Sequence, residues 1–479
     1  MPRTSVLFPL VSLIGWVIAS SAAAADRPNI VLLLTDDQTY EAIGALGHTE
    51  VETPHLDQLY TAGTHFTRAY NMGGYHGAIC VASRTMLNTG RFVWHAREAD
   101  AAMRRGEWSD PLWAGRLQQA GYETFMTGKW HVPTPADAVF QVTRHVRPGM
   151  PGDTEVGYDR PRSDRPDPWS PSDPEYGGYW AGGRHWSEVV AEDAVDFLET
   201  ARSTEAPFFL YVAFNAPHDP RQSPQELLDR YPLDQISVPE NFLPLYPYRN
   251  EIGCSQELRD ERLAPFPRTP HAIRVHRREY WAIITHLDEQ IGRILDALET
   301  SGQREKTVIF FTSDHGLACG RHGLLGKQNM FEHSVRAPLV AVGPEFPAGK
   351  SVDTPVYLQD VMPTSLELAG MDVPEEIQFR SLLPLVRGER LEQYEAIYGC
   401  YMDHQRMVLD DGYKLILYPN VPQVLLFDLQ HDPYEKEDLS DDPSHRRRMR
   451  ELFQKLKKLQ QETGDSLDLT ATFPELAMP

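Results

Sequence analysis

Residues 29–37 of the chain read NIVLLLTDD, an uninterrupted apolar run that ends on two aspartates. Because the run does not alternate with polar residues, it predicts a strand buried on both faces, as in a parallel sheet covered by helices on each side. Similar runs recur along the chain, with helical patterns between them. This alternation predicts an α/β fold with a large, mostly parallel sheet flanked by helices. The predicted strands span residues 29–35, 123–127, 208–214 and 307–312, and the predicted helices span residues 54–62, 188–201 and 277–300.

A polar cluster follows each predicted strand. The clusters are Asp36-Asp37, Gly128-Lys129-Trp130-His131, Asn215-Ala216-Pro217-His218 and Ser313-Asp314-His315. Ligands of open α/β sheets bind outside the carboxyl ends of the strands. We therefore expect these clusters, which are distant in sequence, to converge on one crevice.

The residue types in that crevice suit an anionic ester. Three carboxylates and an imidazole form an oxygen-rich set that fits a hard divalent cation, calcium better than zinc: Asp36, Asp37, Asp314 and His315. Basic side chains would clamp an oxyanion and supply proton transfer near neutral pH: Arg84, Lys129, His131, His218 and Lys327. Stabilising developing charge is most of the task in transferring a tetrahedral anionic group.

Bulk composition and the first residues limit the class of protein. The formal net charge of -22 argues against nucleic-acid binding, since a phosphate backbone demands a broad basic face. An apolar run over residues 6–18, followed by small residues, predicts a secretory signal peptide over residues 1–25. No later run reaches the roughly 18 apolar residues of a transmembrane helix. We expect an exported protein, periplasmic or secreted, with no membrane or nucleic-acid partner.

Residues 77–91, GAICVASRTMLNTGR, place a lone cysteine, Cys80, shortly before Ser83 and Arg84. Four cysteines are too few for a disulfide scaffold, and their spacing matches no zinc motif. If Cys80 has another role, the other three allow one disulfide and one free thiol, and the sequence leaves the pairing open: Cys254, Cys319 and Cys400. A buried, inert thiol is the commonest state of a free cysteine.

The run CVASRTMLNTGR, residues 80–91, resembles the signature of the type I sulfatases, in which a Cys followed by Pro or Ala, Ser and Arg is converted to formylglycine. The other motifs occur in family order, and the similarity extends from Asn29 to about Asp438, including the late segment LFDLQHDPYEKEDL. The resemblance implies the alkaline-phosphatase-like α/β fold and sulfate ester hydrolysis. Ala82 stands where proline is commoner.

The resemblance also implies a role for each matched residue. The calcium ligands would be Asp36, Asp37, Asp314 and His315, together with residue 80. Many relatives have Asn at the position of His315. The catalytic residues would be Cys80, Arg84, Lys129, His131, His218 and Lys327. Among these, Arg84 would steady the formylglycine and Lys327 would lie near the sulfate.

A mechanism and a maturation partner follow from the same resemblance. A formylglycine-generating enzyme would convert Cys80 to an aldehyde, which hydrates to a geminal diol. One hydroxyl, deprotonated with help from the metal and Asp314, would attack sulfur, with His218 or Lys327 as the acid. His131 would then take a proton from the second hydroxyl and expel sulfate.

Beyond Leu385 the sequence changes to short β-like runs and a terminal helix. We expect a catalytic domain over residues 26–385 and a smaller subdomain, built on an antiparallel sheet, over residues 386–479. Two long segments, residues 147–183 and 217–270, interrupt the catalytic domain, and loops of this length are usually functional or mobile. The first carries aromatic residues that either stack on sugar rings or pack the insertion onto the body: Trp169, Tyr176, Tyr179 and Trp180.

Three functions remain open from the sequence. The first is an exported sulfatase acting on a sulfated carbohydrate. The second is phosphodiester or phosphonate monoester hydrolysis, since relatives on this fold use the same modified residue. The third is a catalytically silent binder of sulfated glycans. The presence of every expected catalytic residue argues against this third function.

Overall fold

The computed structural model describes residues 27–478, apart from residues 148, 150–153, 177–179, 182, 203 and 220. The predicted signal peptide, residues 1–25, lies outside the described residues. Within them, no helix has both the length and the hydrophobicity needed to cross a bilayer.

Strands and helices alternate along most of the described chain. The strands are β1 (Asn29–Thr35), β2 (Thr64–Phe66), β3 (Ala69–Tyr70), β4 (Gly73–Gly74), β5 (Glu123–Lys129), β6 (Val142–Arg147), β7 (Trp180–Ala181), β8 (Arg184–His185), β9 (Phe208–Ala213), β10 (Thr307–Ser313), β11 (Arg336–Ala337), β12 (Leu339–Val342), β13 (Lys350–Val352), β14 (Val356–Tyr357), β15 (Ile397–Tyr401), β16 (Gln405–Asp410), β17 (Tyr413–Tyr418) and β18 (Gln423–Asp428). The helices are α1 (Pro54–Ala62), α2 (Ile79–Thr89), α3 (Val93–Arg105), α4 (Trp113–Gln119), α5 (Trp186–Ala201), α6 (Gln225–Asp229), α7 (Pro270–Thr300), α8 (Glu332–Val335), α9 (Val361–Leu368), α10 (Leu383–Val386), α11 (Arg446–Thr463), α12 (Leu469–Thr472) and α13 (Pro474–Ala477).

The central sheet joins eight of the described strands in the order β13-β2-β12-β10-β1-β9-β5-β6. β1 lies in its middle and runs parallel to β10 on one side and to β9 on the other. β5 and β6 continue the parallel part, whereas β12 runs antiparallel to both of its neighbours. The prediction of a large, mostly parallel sheet is confirmed, and β12 is an antiparallel strand that the apolar runs did not indicate.

The side chains of β1 alternate between two apolar layers. Ile30, Leu32 and Leu34 pack with side chains of α4 and α9 on one face of the sheet. Val31 and Leu33 pack with side chains of α5 and α7 on the other. Full burial of one such side chain stabilises the fold by about 1.5–3 kcal/mol. These two layers fix β1 and therefore the position of the residues that follow it.

A second sheet has the strand order β18-β17-β16-β15-β4. Its four C-terminal strands are antiparallel neighbours, and their apolar side chains pack with those of α11. The prediction of a C-terminal antiparallel sheet with a docked helix is confirmed, but its extent needs correction. β4 comes from the N-terminal part of the chain and pairs in parallel with β15. The boundary between residues 385 and 386 stays a prediction.

Candidate functional site

The carboxyl ends of four adjacent strands, β10, β1, β9 and β5, form the floor of the site. Asp36 and Asp37 directly follow β1, and Asp314 directly follows β10. Lys129 is the last residue of β5, and His218 lies in the loop after β9. The structure thus brings the four polar clusters together, as the strand ends predict.

Four buried side chains form a cluster that fits a divalent cation: Asp36, Asp37, Asp314 and His315. Each offers one ligand atom, and these atoms lie within 4.8 Å of one another. Nδ1 of His315 donates to the carbonyl oxygen of Gly316 at 2.9 Å, which turns Nε2 towards Oδ1 of Asp37, 3.2 Å away. Among the described residues, neither this Nε2 nor Oδ1 of Asp36 has a hydrogen-bond partner. Buried polar atoms without a hydrogen-bond partner are costly, and a cation bound between these two atoms would contact both.

Each carboxylate of this cluster also contacts a buried cation. The pairs, joined by N–H···O hydrogen bonds, are Arg84 with Asp314 (3.0 Å), Lys129 with Asp36, and Lys327 with Asp37 (2.8 Å). The charges of these three pairs cancel, so a divalent cation would leave the site positive. An anionic substrate would then neutralise that charge.

The pKa values of the carboxylates follow from these contacts. Burial raises the pKa of Asp314, but His315 and Arg84 outweigh burial and hold that pKa below its usual range. Burial raises the pKa of Asp37 well above its usual value, and Lys327 offsets only part of the rise. A bound cation would favour the ionised form of both carboxylates.

Cys80 lies in the first turn of α2, and its side chain contacts His131. Sγ is 3.3 Å from Nδ1 of the imidazole, and the cysteine is buried. Burial, with the charges of Lys129 and Arg84, lowers the pKa of His131 to about 3. The ring is therefore neutral near pH 7, and one of its nitrogens can act as a hydrogen-bond acceptor beside residue 80. The structure places a base directly beside residue 80.

Gly128 gives β5 the irregular end that brings Lys129 into the site. Its φ is +93°, and a Cβ on this residue would lie 1.9 Å from the carbonyl oxygen of Ala213. We expect Gly128→Ala to lower the free energy of unfolding by about 3 kcal/mol or more, because positive-φ strain and a backbone clash add. Urea unfolding measures the loss.

Gly121→Ala is the matched control for this substitution. Gly121 has a φ of +87°, but a Cβ there would meet nothing within 4 Å. We expect it to cost only the strain, about 1–2 kcal/mol. Equal losses for the two variants would show that the clash at Gly128 is relieved at no cost.

His218 lies between two cations. Its Nδ1 donates to the carbonyl oxygen of Asp219 at 2.9 Å, and its Nε2 accepts from Nζ of Lys327 at 2.9 Å. Nη2 of Arg259 is 3.0 Å from Nε2 and 3.2 Å from Nδ1. Burial, and then the charges of Lys327 and Arg259, lower the pKa of His218 well below its usual value. In the hydrogen bond between Lys327 and His218, the shared proton therefore belongs to Nζ of Lys327.

Arg259 and Asp260 also lie in the site, although the sequence analysis did not select them. They line a cavity of about 340 Å³ together with Cys80, His131, His218 and Lys327. Oδ2 of Asp260 is 3.7 Å from Nζ of Lys327 and accepts from Nε2 of Gln328 at 2.6 Å. Arg259 and Asp260 belong to the segment of residues 217–270. In the sequence, only the length of this segment indicated a functional role.

The aromatic residues of the segment 147–183 pack inward where the structure describes them. Trp169 is 6% exposed and stacks on Tyr176, with ring centroids 4.9 Å apart. Trp169 therefore packs the insertion onto the body, and the half-buried Tyr176 packs against it. Tyr179 lies outside the described residues, as does the side chain of Trp180.

All four cysteines are free and buried. None of the disulfide pairings that the sequence left open is formed. Sγ of Cys254 donates instead to the carbonyl oxygen of Gln328 at 3.1 Å. Cys80 is the cysteine that faces the cavity with the basic residues.

Two family models match the chain. The sulfatase model matches residues 28–371, which include all the strand-end clusters. The chain belongs to the sulfatase family. A model of the C-terminal region of N-sulphoglucosamine sulphohydrolase matches residues 320–462 of this sulfatase. That match includes residues on both sides of the predicted domain boundary, so it does not test the position of the boundary.

Sequence similarity to other sulfatases extends over most of the chain. An N-acetylglucosamine-6-O-sulfatase of Bacteroides thetaiotaomicron is 26% identical over 537 residues, covering 97% of this sulfatase and 92% of that protein. A choline-sulfatase of Rhizobium meliloti is 29% identical over 442 residues, covering 87% and 83%. Hydrolysis of sulfate esters is therefore the activity of this chain.

One similar solved structure is that of a protein in complex with its substrate D-glucosamine-2-N,6-O-disulfate. It superposes with a TM-score of 0.72 at 23% identity, covering 92% of this sulfatase and 99% of that chain. At this level of identity the match shows the fold. The prediction of an alkaline-phosphatase-like fold is confirmed.

Proposed function

We propose that this sulfatase acts on a sulfated carbohydrate, using a formylglycine made from Cys80 and a calcium ion. The contact between Sγ of Cys80 and Nδ1 of His131 carries the proposal, because it sets the reacting residue beside a base in the cavity. A relative named for N-acetylglucosamine sulfate and a neighbour bound to a glucosamine disulfate support a sugar substrate. The choline-sulfatase is a relative named for another kind of ester, so the substrate class has to be tested.

The calcium ligands of the proposal are Asp36, Asp37, Asp314, His315 and residue 80. The three carboxylates supply oxygen ligands, which suit calcium, and His315 offers a ligand atom within 4.8 Å of theirs. When bound, the ion would favour ionisation of the residue 80 hydroxyl and draw charge from the sulfate oxygens. Arg84 donates to Asp314 and Lys129 donates to Asp36, and these contacts hold the two carboxylates in position.

Different side chains carry out the proton transfers of the reaction. One hydroxyl of the hydrated aldehyde gives its proton to Asp314 and attacks sulfur, and the bond from sulfur to the oxygen of the leaving alcohol breaks. Loss of the proton of the second hydroxyl then restores the aldehyde, and the bond from its carbon to the sulfate oxygen breaks to release sulfate. His131, neutral and in contact with residue 80, takes the proton of the second hydroxyl. Lys327 protonates the leaving alcohol, because Nδ1–H of His218 is already donated to Asp219 and Nε2 of His218 accepts from Lys327. His218 thus orients Lys327.

Peptide mass spectrometry tests the conversion of Cys80. In protein from the native host, or co-expressed with a formylglycine-generating enzyme, the peptide spanning residues 77–84 should be about 18 mass units lighter than its cysteine form, the change from thiol to aldehyde. The peptide that contains Cys400 should keep its mass and is the internal control. An intact thiol at residue 80 in the native host would overturn the proposal and favour the silent glycan binder.

Sulfate release from matched esters tests the substrate class. Converted enzyme should cleave an aryl sulfate faster than an aryl phosphodiester, and faster cleavage of the phosphodiester would favour the phosphonate hydrolase alternative. Sulfate release from a panel of sulfated sugars, compared with release from choline sulfate, then tests whether the substrate is a carbohydrate. Turnover of choline sulfate alone would show that the proposed carbohydrate substrate is wrong, although the protein is a sulfatase.

We also propose export of the protein after removal of residues 1–25. The apolar run over residues 6–18 and the small residues after it support this. Sequencing the N-terminus of the protein from its native host should give a start at or just before Asp26. A start at Met1 would contradict export by this route.

A further inference from the structure

Gln328 directly follows Lys327 and lines the same cavity, but none of the proposed proton transfers involves it. The residue is buried, with 2% of its surface exposed. Oε1 of its carboxamide accepts from the backbone N–H of Lys327 at 3.0 Å. Nε2 donates to the carbonyl oxygen of Gly77 at 3.1 Å and to Oδ2 of Asp260 at 2.6 Å. Three segments that are distant in sequence therefore meet at one amide group.

The hydrogen bond to Gly77 connects Gln328 to the segment that carries the proposed nucleophile. Gly77 lies shortly before α2, the helix that contains Cys80, and it also lines the cavity. The helix itself is held from another side, since Nε of Arg84 donates to the carboxylate of Asp314 at 3.0 Å. Residue 80 therefore has a fixed position, and the carboxamide of Gln328 is anchored beside it.

The other two hydrogen bonds restrain Lys327 at both ends of that residue. Oε1 of Gln328 holds its backbone N–H. Oδ2 of Asp260, which accepts from Nε2 of Gln328, lies 3.7 Å from Nζ of Lys327. Nζ also donates to Nε2 of His218 at 2.9 Å. Because lysine has a long, flexible side chain, contacts at both ends are needed to keep Nζ in one place.

The backbone of residue 328 is fixed by contacts with further segments. Its carbonyl oxygen accepts from Nε2 of Gln405 at 2.8 Å and from Sγ of Cys254 at 3.1 Å. Packing around its carboxamide is tight, since a Cβ on Gly326 would lie 2.6 Å from Oε1. Gln328 is thus held through both its main chain and its side chain, and it can act as a rigid link.

We propose that Gln328 is a positioning residue that keeps Lys327 at a fixed distance from residue 80. The inference rests on the proposed role of Lys327 as the acid that protonates the leaving alcohol. In an in-line displacement the attacking and leaving oxygens lie on opposite sides of the transferred group, so nucleophile and acid must be correctly spaced. A misplacement of about 1 Å can lower the rate about 10²-fold. Gln328 sets this spacing because one carboxamide bonds to both segments.

Two aryl esters with different leaving groups test this role. 4-Nitrophenoxide is a weak base that leaves without a proton, whereas the departure of the more basic phenoxide is aided by protonation. The quantity measured is kcat/KM for 4-nitrophenyl sulfate divided by kcat/KM for phenyl sulfate, with converted enzyme. Gln328→Met removes all three hydrogen bonds and keeps a side chain of similar length, and it should raise this ratio about tenfold or more. Lys327→Met should raise the ratio further, since it removes the acid itself.

Gln393→Met is the matched control. Gln393 is also fully buried, and its Nε2 likewise donates to backbone carbonyl oxygens, those of Arg380 (2.9 Å) and Ser381 (3.0 Å), and to a buried carboxylate, that of Asp360 (3.4 Å). It is not among the residues that line the active-site cavity. This variant should lose stability, as Gln328→Met does, and keep the wild-type ratio. The ratio therefore separates a positioning role from a purely structural one.

The outcomes separate this inference from the proposed function. A wild-type ratio in Gln328→Met would overturn the role of Gln328 and leave the sulfatase activity and the role of Lys327 intact. A wild-type ratio in Lys327→Met would show that Lys327 is not the acid, and the role of Gln328 would fail with it. Thermal unfolding checks that the variants are folded. If Gln328→Met does not fold, Gln328→Asn, whose amide is one methylene short of its partners, serves for the same comparison.

A crystal structure gives a second readout that does not depend on turnover. If converted wild type cleaves neither aryl ester, the structure of Gln328→Met decides the question. Nζ of Lys327 should then lie beyond hydrogen-bonding distance of Nε2 of His218, compared with 2.9 Å in wild type. An unmoved Lys327 would overturn the positioning role of Gln328.

Discussion

Replacing Cys80 by alanine should lower kcat/KM for aryl sulfate hydrolysis by about 10⁴-fold or more, because the substitution removes the nucleophile. The side chain is buried in the first turn of α2, with Sγ 3.3 Å from Nδ1 of His131. A methyl group occupies part of the same space and adds no polar atom, so the variant should remain folded. Sulfate release measures the rate, and thermal unfolding checks the fold.

Cys80→Ser separates attack on sulfur from release of sulfate. Serine has one hydroxyl, so the second deprotonation is impossible and a covalent sulfate ester should accumulate, about 80 mass units heavier than the free protein. Cys400→Ala is the matched control, since Cys400 is also free and buried but lies on β15 in the second sheet. It should keep the wild-type rate. An alanine variant at residue 80 that retains more than about a hundredth of the activity would mean that the nucleophile lies elsewhere.

The central strands could be predicted from the sequence because burial on both faces leaves no polar position within the run. The run NIVLLLT corresponds to β1 residue for residue, and the helix predicted over residues 54–62 has the bounds of α1. Two carboxylates of the site were predicted with them, since Asp36 and Asp37 directly follow this buried strand. Here one physical cause, the burial of a strand, determines both fold and site.

The second sheet could be predicted only in part, because one of its strands has no strand-like sequence. β4 consists of Gly73 and Gly74, a residue type with low strand propensity. A Cβ on Gly73 would lie 1.9 Å from the carbonyl oxygen of Cys400, so only glycine allows this approach to β15. β4 forms because it pairs with β15, a strand far along the chain. The local sequence of β4 does not indicate this contact.

The helix that carries Cys80 and the loop that carries Arg259 escaped the sequence analysis for different reasons. Every residue of α2 is buried, the polar residues included, so the helix lacks the division into an apolar and a solvated face that makes a helix recognisable in a sequence. Arg259 reaches His218 from 41 residues away, across a segment without regular periodicity. Its position depends on tertiary contacts with Asp219 and His218, and these form only in the folded chain.

Asp314→Asn should abolish calcium binding and lower kcat by about 10³-fold or more. One oxygen of Asp314 accepts from Nε of Arg84 at 3.0 Å. The other accepts from the backbone N–H of Asp37 at 3.3 Å and lies 3.5 Å from Nε2 of His315. Asparagine keeps the shape of the side chain but removes its charge and replaces one acceptor by a donor. The cluster then lacks one of its three carboxylates, and Arg84 lacks its ionic partner.

Calcium-dependent unfolding measures this effect without any need for conversion of Cys80. Wild type should gain about 2.7 kcal/mol of stability at a calcium concentration of 100 Kd, and Asp314→Asn should gain none. Asp288→Asn is the matched control, because Asp288 is a buried carboxylate that accepts from the backbone N–H groups of His55 and Leu56, at the start of α1. That variant should lose stability yet keep the calcium response. Equal calcium affinity in wild type and Asp314→Asn would place the ion elsewhere, and a wild type that does not respond would mean that Arg84, Lys129 and Lys327 alone balance the carboxylates.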